Sequence, residues 1–278
     1  MSEETTDPTR VTIAVVQMHC RPGEVEANLA TIDTMVRQAA GEGAQLVVVP
    51  EMATTGYFIS DRLDQLAEPQ DGPTARRLSE LAKDLAIHLA VGMVLVEGGA
   101  YYDAQLLFGP DGALLATYRK VHLFSAEREW FSAGDEPVVV DTSIGRIGMT
   151  ICYDLIFPEF TRRLVDMGAE LIINSTNWIT DDFQRGRWGW DGPTIEALAT
   201  TRSLENGVWL AMANCVGPEW VFDSIGHSCI VAPSGMRVAS AGRAQGTALA
   251  QIAYSSDDLN RWKAVATYLE DRRPEIYR

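Results

Sequence analysis

The stretch RIGMTICYDLIFPEFTRRLVDMGAELIINST, residues 146–176, carries the pattern on which the fold turns. Residues 146–152 are a short apolar run of the kind that forms a buried strand. FPEFTRRLVDMGA (157–169) then opens at a proline and closes at a glycine, the asymmetry of a helix. ELIINST (170–176) is a second buried strand. Strand, helix and strand in succession predict layered α/β architecture.

The same grammar extends outward. Apolar runs at 11–18, 45–50, 89–96, 104–109, 208–214 and 228–233 read as further buried strands. Residues 26–43 place Leu29, Ile32, Met35 and Val36 on one helical face, and 73–86 repeat leucine at 78, 81 and 85. PTIEALATTRSLENG (193–207) is a third helical pattern, while residues 98–121 read as a hairpin about GPDG. Strands alternating with helices, interrupted by hairpins, predict a mixed sheet. Without a linker or a repeat, residues 1–278 are expected to form a single domain, with a polar and aromatic C-terminal tail (about 255–278) that packs against a second subunit.

Composition narrows the function. At 46% hydrophobic and 22% charged, the 278 residues are those of a globular protein. A net charge of −15 opposes nucleic-acid binding. The apolar runs fall well short of the roughly 20 residues that span a bilayer, and MSEETTDPTR lacks the basic start of a leader. A cytoplasmic protein acting on neither nucleic acid nor membrane is expected. Cys20, Cys152, Cys215 and Cys229 form no CxxC pair. The spacing suggests neither a disulfide framework nor a metal site, and His19-Cys20 reads as a strand running into a loop.

Ligand sites in α/β sheets gather where strands end. The strand ends here carry Glu51, Lys120, Cys152, Asn177 and Trp178 in turn. Singly, each has an ordinary explanation: a buried thiol, a solvated carboxylate, a surface ammonium. Together they could make a nucleophile, with Glu51 as its base and Lys120, held among apolar neighbours, as the cation beside a thiolate and an oxyanion. The polarity of the helix after Cys152 and the Tyr153 N–H would assist. Tyr57, Phe124, Tyr153, Trp178, and Trp188 or Trp190, could line an apolar pocket, although RGRWGWDGP (185–193) is expected as a packed surface loop. Asn214, His227, Cys215 and Cys229 read as scaffold.

VVVPEMATTGY (47–57), YRKVHLF (118–124) and GMTICYDLIFPE (148–159) together resemble the signature of the nitrilase superfamily of carbon–nitrogen hydrolases. GDEPVVVDTSIGRIGMTICYD, RSLENGVWLAMAN, GHSCIVAPSG and RRPEIY extend the resemblance over nearly the whole chain. It implies a four-layer α-β-β-α sandwich, a homodimer or higher homo-oligomer, and no metal or organic cofactor. It also implies Glu51 as general base, Lys120 as oxyanion stabiliser, Cys152 as nucleophile forming a thioester, and Glu127, rather than Glu129, as a second glutamate positioning lysine and substrate. CYD resembles the amidase-like branch, so the expected substrate is a small aliphatic or aromatic carboxamide, bound by Tyr57, Phe124, Tyr153, Asn177 and Trp178. N-carbamoyl amine hydrolysis and nitrile hydrolysis are the alternatives. Asp103 and Cys215 depart from the asparagine and arginine common in relatives.

Overall fold

The computed structural model describes residues 10–277. The leader reading of residues 1–9, and the final Arg278 of the tail, lie outside the described residues. Two six-stranded sheets dominate. The first runs, edge to edge, Gly246–Ala253, Arg10–Gln17, Leu46–Val48, His88–Glu97, Ala100–Phe108, Leu114–Arg119. The second runs Arg237–Ser240, Cys229–Val231, Trp209–Asn214, Leu171–Thr176, Gly145–Ile151, Val139–Thr142. Both are mixed: parallel pairings occupy the centre and antiparallel pairings the edges.

Side-chain alternation sets the layers. Along the first strand Ile13 and Val15 join one core, whereas Ala14 and Val16 join another, as the two-residue period of a strand requires. Leu46 and Val48 divide from Val47 and Val49 in the same way. One core lies between the sheets, where Ile13 and Val48 belong with Ile147, Met149 and Ile173. The other lies under Val25–Gly41 and Pro73–Leu85, which contribute Leu29, Ile32, Leu78 and Leu81. Pro158–Asp166 and Gly192–Asn206 cover the far side of the second sheet with Leu164, Ile195 and Ala199. The result is the α-β-β-α sandwich.

Several elements depart from expectation. Gly246–Ala253 pairs with the first strand through eight residues, yet its alanines and glycine carry too little apolar signal to announce it. A small third sheet, Val216–Glu219, Phe222–Ile225 and Ile179–Thr180, roofs the strand ends. Residues 185–193 are a correction: instead of a packed loop, they complete one helix, Asp182–Trp188, and lead into the next at Gly192, with Trp190 between them packed edge-on against Trp178 at 5.6 Å. The tail forms Asp257–Val265 and a turn at Pro274–Ile276, leaving Val265, Ile276 and Tyr277 exposed. Among the described residues no helix is long and apolar enough to cross a membrane.

Candidate active site

The two sheets deliver complementary groups to one place. From the first come Glu51, in the turn after Leu46–Val48, Asp103, within Ala100–Phe108, and Lys120, just past Leu114–Arg119. From the second come Cys152, directly after Gly145–Ile151, and Asn177, directly after Leu171–Thr176. Glu127 opens a single helical turn, Glu127–Trp130, and is buried, whereas Glu129 is exposed.

Lys120 is the hub, and its surroundings correct the expectation of apolar neighbours. Its Nζ lies 2.5 Å from Glu51 Oε1, 2.9 Å from Glu127 Oε1 and 3.2 Å from Asp103 Oδ2. Burial alone would lower the ammonium's pKa, but Glu51 and Glu127, joined by Asp103 whenever it is ionised, raise it well above the ordinary lysine value. Lys120 therefore stays charged. Three carboxylates set this close can hold a cation, and here the lysine head is that cation.

Each glutamate is also fixed from elsewhere. Glu51 Oε2 accepts the Asn177 backbone N–H at 2.7 Å, a bond from one sheet to the other. Glu127 accepts the Phe124 N–H at 2.8 Å and the Tyr57 hydroxyl. The backbone of Glu51 crosses over Gly92: a Cβ there would come within 2.4 Å of the Pro50 carbonyl oxygen and 2.6 Å of Glu51 Cα. Only glycine admits that approach.

Cys152 has φ of +43°, in the left-handed region that a side-chain-bearing residue enters at a cost. Ile151 N–H donates to Asp154 Oδ2 at 2.9 Å and holds the turn. The turn Cys152–Ile156 intervenes before the helix Pro158–Asp166, so the thiol does not stand at that helix's N-terminus as expected. Burial, then the charge of Glu51, pushes the thiol pKa well above its ordinary value; Lys120 opposes this only in part. The resting sulfur is a thiol, whose proton must leave when it attacks.

Cys152 opens onto a cavity of about 420 Å³ lined by Tyr57, Phe124, Tyr153, Asn177 and Trp178, as well as Ile179, Trp188, Trp190 and Phe222. All five residues expected to bind substrate therefore share one wall system with the cysteine. Among the described residues no arginine or lysine lines it. Asn214 supports the wall, accepting the Trp178 N–H at 2.9 Å. Two contributors escaped the sequence reading, Asp154 and Glu219. Asp154 stands two residues after Cys152 in the chain, a signal that could have found it. Glu219, on the roofing sheet and buried beside Asn177, left no such trace.

The profile of the carbon-nitrogen hydrolase family matches residues 12–263. A Pseudomonas protegens protein described as a hydrolase in the pqqF 5′ region is 36% identical over 280 residues, covering 95% of this chain and 90% of that one. An (R)-stereoselective amidase from Pseudomonas sp. is 33% identical, covering 94% and 91%. An amidase from Nesterenkonia sp. AN1 superposes with a TM-score of 0.84 at 29% identity, covering 98% and 97%. In that structure, of a variant, the acetamide moiety of fluoroacetamide is covalently added at the active-site cysteine.

Proposed function

The chain belongs to the carbon–nitrogen hydrolases of the nitrilase superfamily, amidase-like in kind, and we propose that it hydrolyses small aliphatic or aromatic carboxamides to acid and ammonia through a cysteine thioester. The observation that carries this reading is the placement of Cys152 at an aromatic cavity that no cationic side chain lines among the described residues, beside a lysine clasped by Glu51 and Glu127.

Cys152 Sγ attacks the amide carbon while its proton passes to Glu51, the group whose charge bears on it. The carbonyl oxygen becomes an oxyanion facing the Lys120 ammonium and the Tyr153 N–H. Collapse breaks the carbon–nitrogen bond, and Glu51 returns its proton to the departing ammonia. Glu51 then takes a proton from water as the water attacks the thioester, and on collapse of the carbon–sulfur bond it passes that proton to the departing sulfur, so that the acid leaves with the thiol and the Glu51 carboxylate restored. Glu127 acts through Lys120, holding the ammonium in place.

The cavity supports a small uncharged acyl group. A substrate with its own carboxylate would enter without a cation to meet it, at the cost of desolvation. This counts against carboxylate-bearing ureido compounds. We also read residues 1–278 as one domain that works as a cytoplasmic homodimer, with the exposed Val265, Ile276 and Tyr277 of the tail available to a second copy. Sedimentation at micromolar concentration tests the dimer.

The functional test is ammonia release from propionamide, butyramide, benzamide, propionitrile and an N-carbamoyl amine, with Cys152→Ala alongside. Turnover of the amides, lost in the variant, is expected. Turnover of the nitrile or carbamoyl compound alone would assign the chain to another chemistry of the superfamily.

A further inference from the structure

Asp103 sits at the centre of the cluster with no task in the reaction described above. It is 1% exposed, and its carboxyl abuts Glu51 and lies close to Glu127, with the ligand-type oxygens of all three within 4.8 Å of one another. The donors around the cluster are shared unequally. Glu51 accepts from Lys120 and the Asn177 N–H; Glu127 accepts from Lys120, the Phe124 N–H and Tyr57. Among the described residues neither carboxyl oxygen of Asp103 accepts a hydrogen bond. Lys120 Nζ, at 3.2 Å, lies off the direction of one.

Three carboxylates against one ammonium would leave two uncompensated charges shut away from water, which buried sites relieve by taking up protons. A proton settles where the ionised form is least supported by donors, and that carboxyl is Asp103. Once protonated, its O–H becomes a donor able to reach Glu51.

We propose that Asp103 is a neutral carboxylic acid in the resting enzyme, that it shares its proton with Glu51 as a positioning residue, and that its ionisation sets the alkaline limit of turnover. The inference rests on the reading of Glu51, Lys120 and Cys152 as the reacting groups. Burial first, and then the charges of Glu51 and Glu127, raise the Asp103 pKa well above the carboxylate range, against the pull of Lys120. The Tyr57 hydroxyl and the Cys152 thiol also face the cluster and are held neutral by burial. When Asp103 loses its proton, a second net negative charge joins the cluster. It competes with the oxyanion for Lys120 and opposes the charge that forms in the transition state.

Two measurements decide it. In the native chain labelled with ¹³C at the aspartate side-chain carboxyl carbons, one aspartate is expected to remain protonated at about pH 7 and to titrate above it. Its resonance is absent in Asp103→Asn. If every aspartate titrates below about pH 5, the proposal is overturned. The titration itself is read on the native chain without substrate, and the variant serves only to assign the resonance, so it stands apart from success or failure of amide turnover. In kinetics, Asp103→Asn keeps a neutral donor that cannot ionise. The ratio of kcat/KM at about pH 10 to that at about pH 7 should rise at least roughly tenfold over the native chain. An unchanged ratio overturns the claim that Asp103 sets the alkaline limit.

Discussion

The hydroxyl of Tyr118 donates to Asp154 Oδ2 at 2.6 Å, and this single bond ties the strand that leads to Lys120 to the turn that begins with Cys152. Asp154 also accepts the Ile151 N–H at 2.9 Å and the His122 N–H at 3.0 Å, and it is fully buried. Cation and thiol are thus registered to each other through a carboxylate that touches neither substrate nor oxyanion. Asp154→Ala leaves these donors unpaired, each at about 1–3 kcal/mol. We expect a loss of at least about 3 kcal/mol in urea unfolding and a kcat at least about 100-fold lower. Tyr118→Phe removes that bond and the one its hydroxyl accepts from the Val121 N–H at 3.2 Å, and should cost about 1–3 kcal/mol.

Lys120→Met removes the cation from among three buried carboxylates. Breaking such a cluster costs about 3–5 kcal/mol, because the charges left behind are uncompensated. Amide turnover should disappear. The lost stability should return in part as pH falls, since carboxyls with raised pKa values in the folded variant are stable when protonated and strained when ionised. A melting temperature equal to that of the native chain from about pH 5 to pH 8 would refute an electrostatic role for the cluster.

Glu219 gives a pH dependence of known sign. Burial raises its pKa from 4.5 to about 8, with Asn177 opposing the shift. Its stabilising contribution is complete below the unfolded value and declines as pH rises toward the folded one, because the unfolded chain ionises first. Glu219→Gln, neutral throughout, should therefore gain on the native protein between about pH 5 and pH 8. Each kcal/mol moves the midpoint by about 2–4 °C in a chain of this size. Parallel melting curves across that range would contradict the assignment.

Cysteine reactivity should separate the four thiols. Cys20, Cys215 and Cys229 are 1% exposed or less, with Cys20 and Cys215 Sγ only 3.3 Å apart in the interior. Cys152 alone opens onto a cavity large enough for a small electrophile. Native protein treated with iodoacetamide should gain one adduct, on Cys152, by intact mass and peptide mapping, and three more only after denaturation. Labelling of Cys20 or Cys215 in the folded state would mean that the strand ends around Glu51 open readily.

Gly92→Ala tests the packing beneath Glu51. The new methyl would meet the backbone of Pro50, Glu51 and Met52, none of which is the yielding end of a side chain. Overpacking of this kind costs about 1–3 kcal/mol. Because the displaced segment carries the proposed base, kcat should fall by more than the stability loss explains, roughly 10–100-fold. Full activity in a folded variant would show that the turn at Glu51 adjusts freely.

Much of the scaffold was legible because apolar runs of four to eight residues leave few options. The buried strands around Val15, Val48, Ile151 and Ile173, and the helices with leucine or isoleucine on one face, followed from periodicity alone. The strand Gly246–Ala253 did not, since its partner across the sheet, not its composition, makes it a strand. At the site, residue types at strand ends pointed to Glu51, Lys120 and Cys152. The resemblance already set Glu127 to position Lys120, but nothing in the sequence said that Asp103 joins them, because it reaches the ammonium across a strand pairing. Nor could sequence foresee the positive φ of Cys152, which the Asp154 bonds impose.

The hydrogen bond from Asn177 to Glu51 spans the seam between the sheets, and it makes turnover a gauge of their separation. Base and cation ride on one slab, thiol on the other. A slip of a few tenths of an ångström along the seam spoils their alignment while every strand keeps its own ladder. On warming, activity should therefore fade before the circular dichroism of the strands does. Substitutions far from the cavity, wherever they loosen the contact of slab with slab, should register first as lost catalysis.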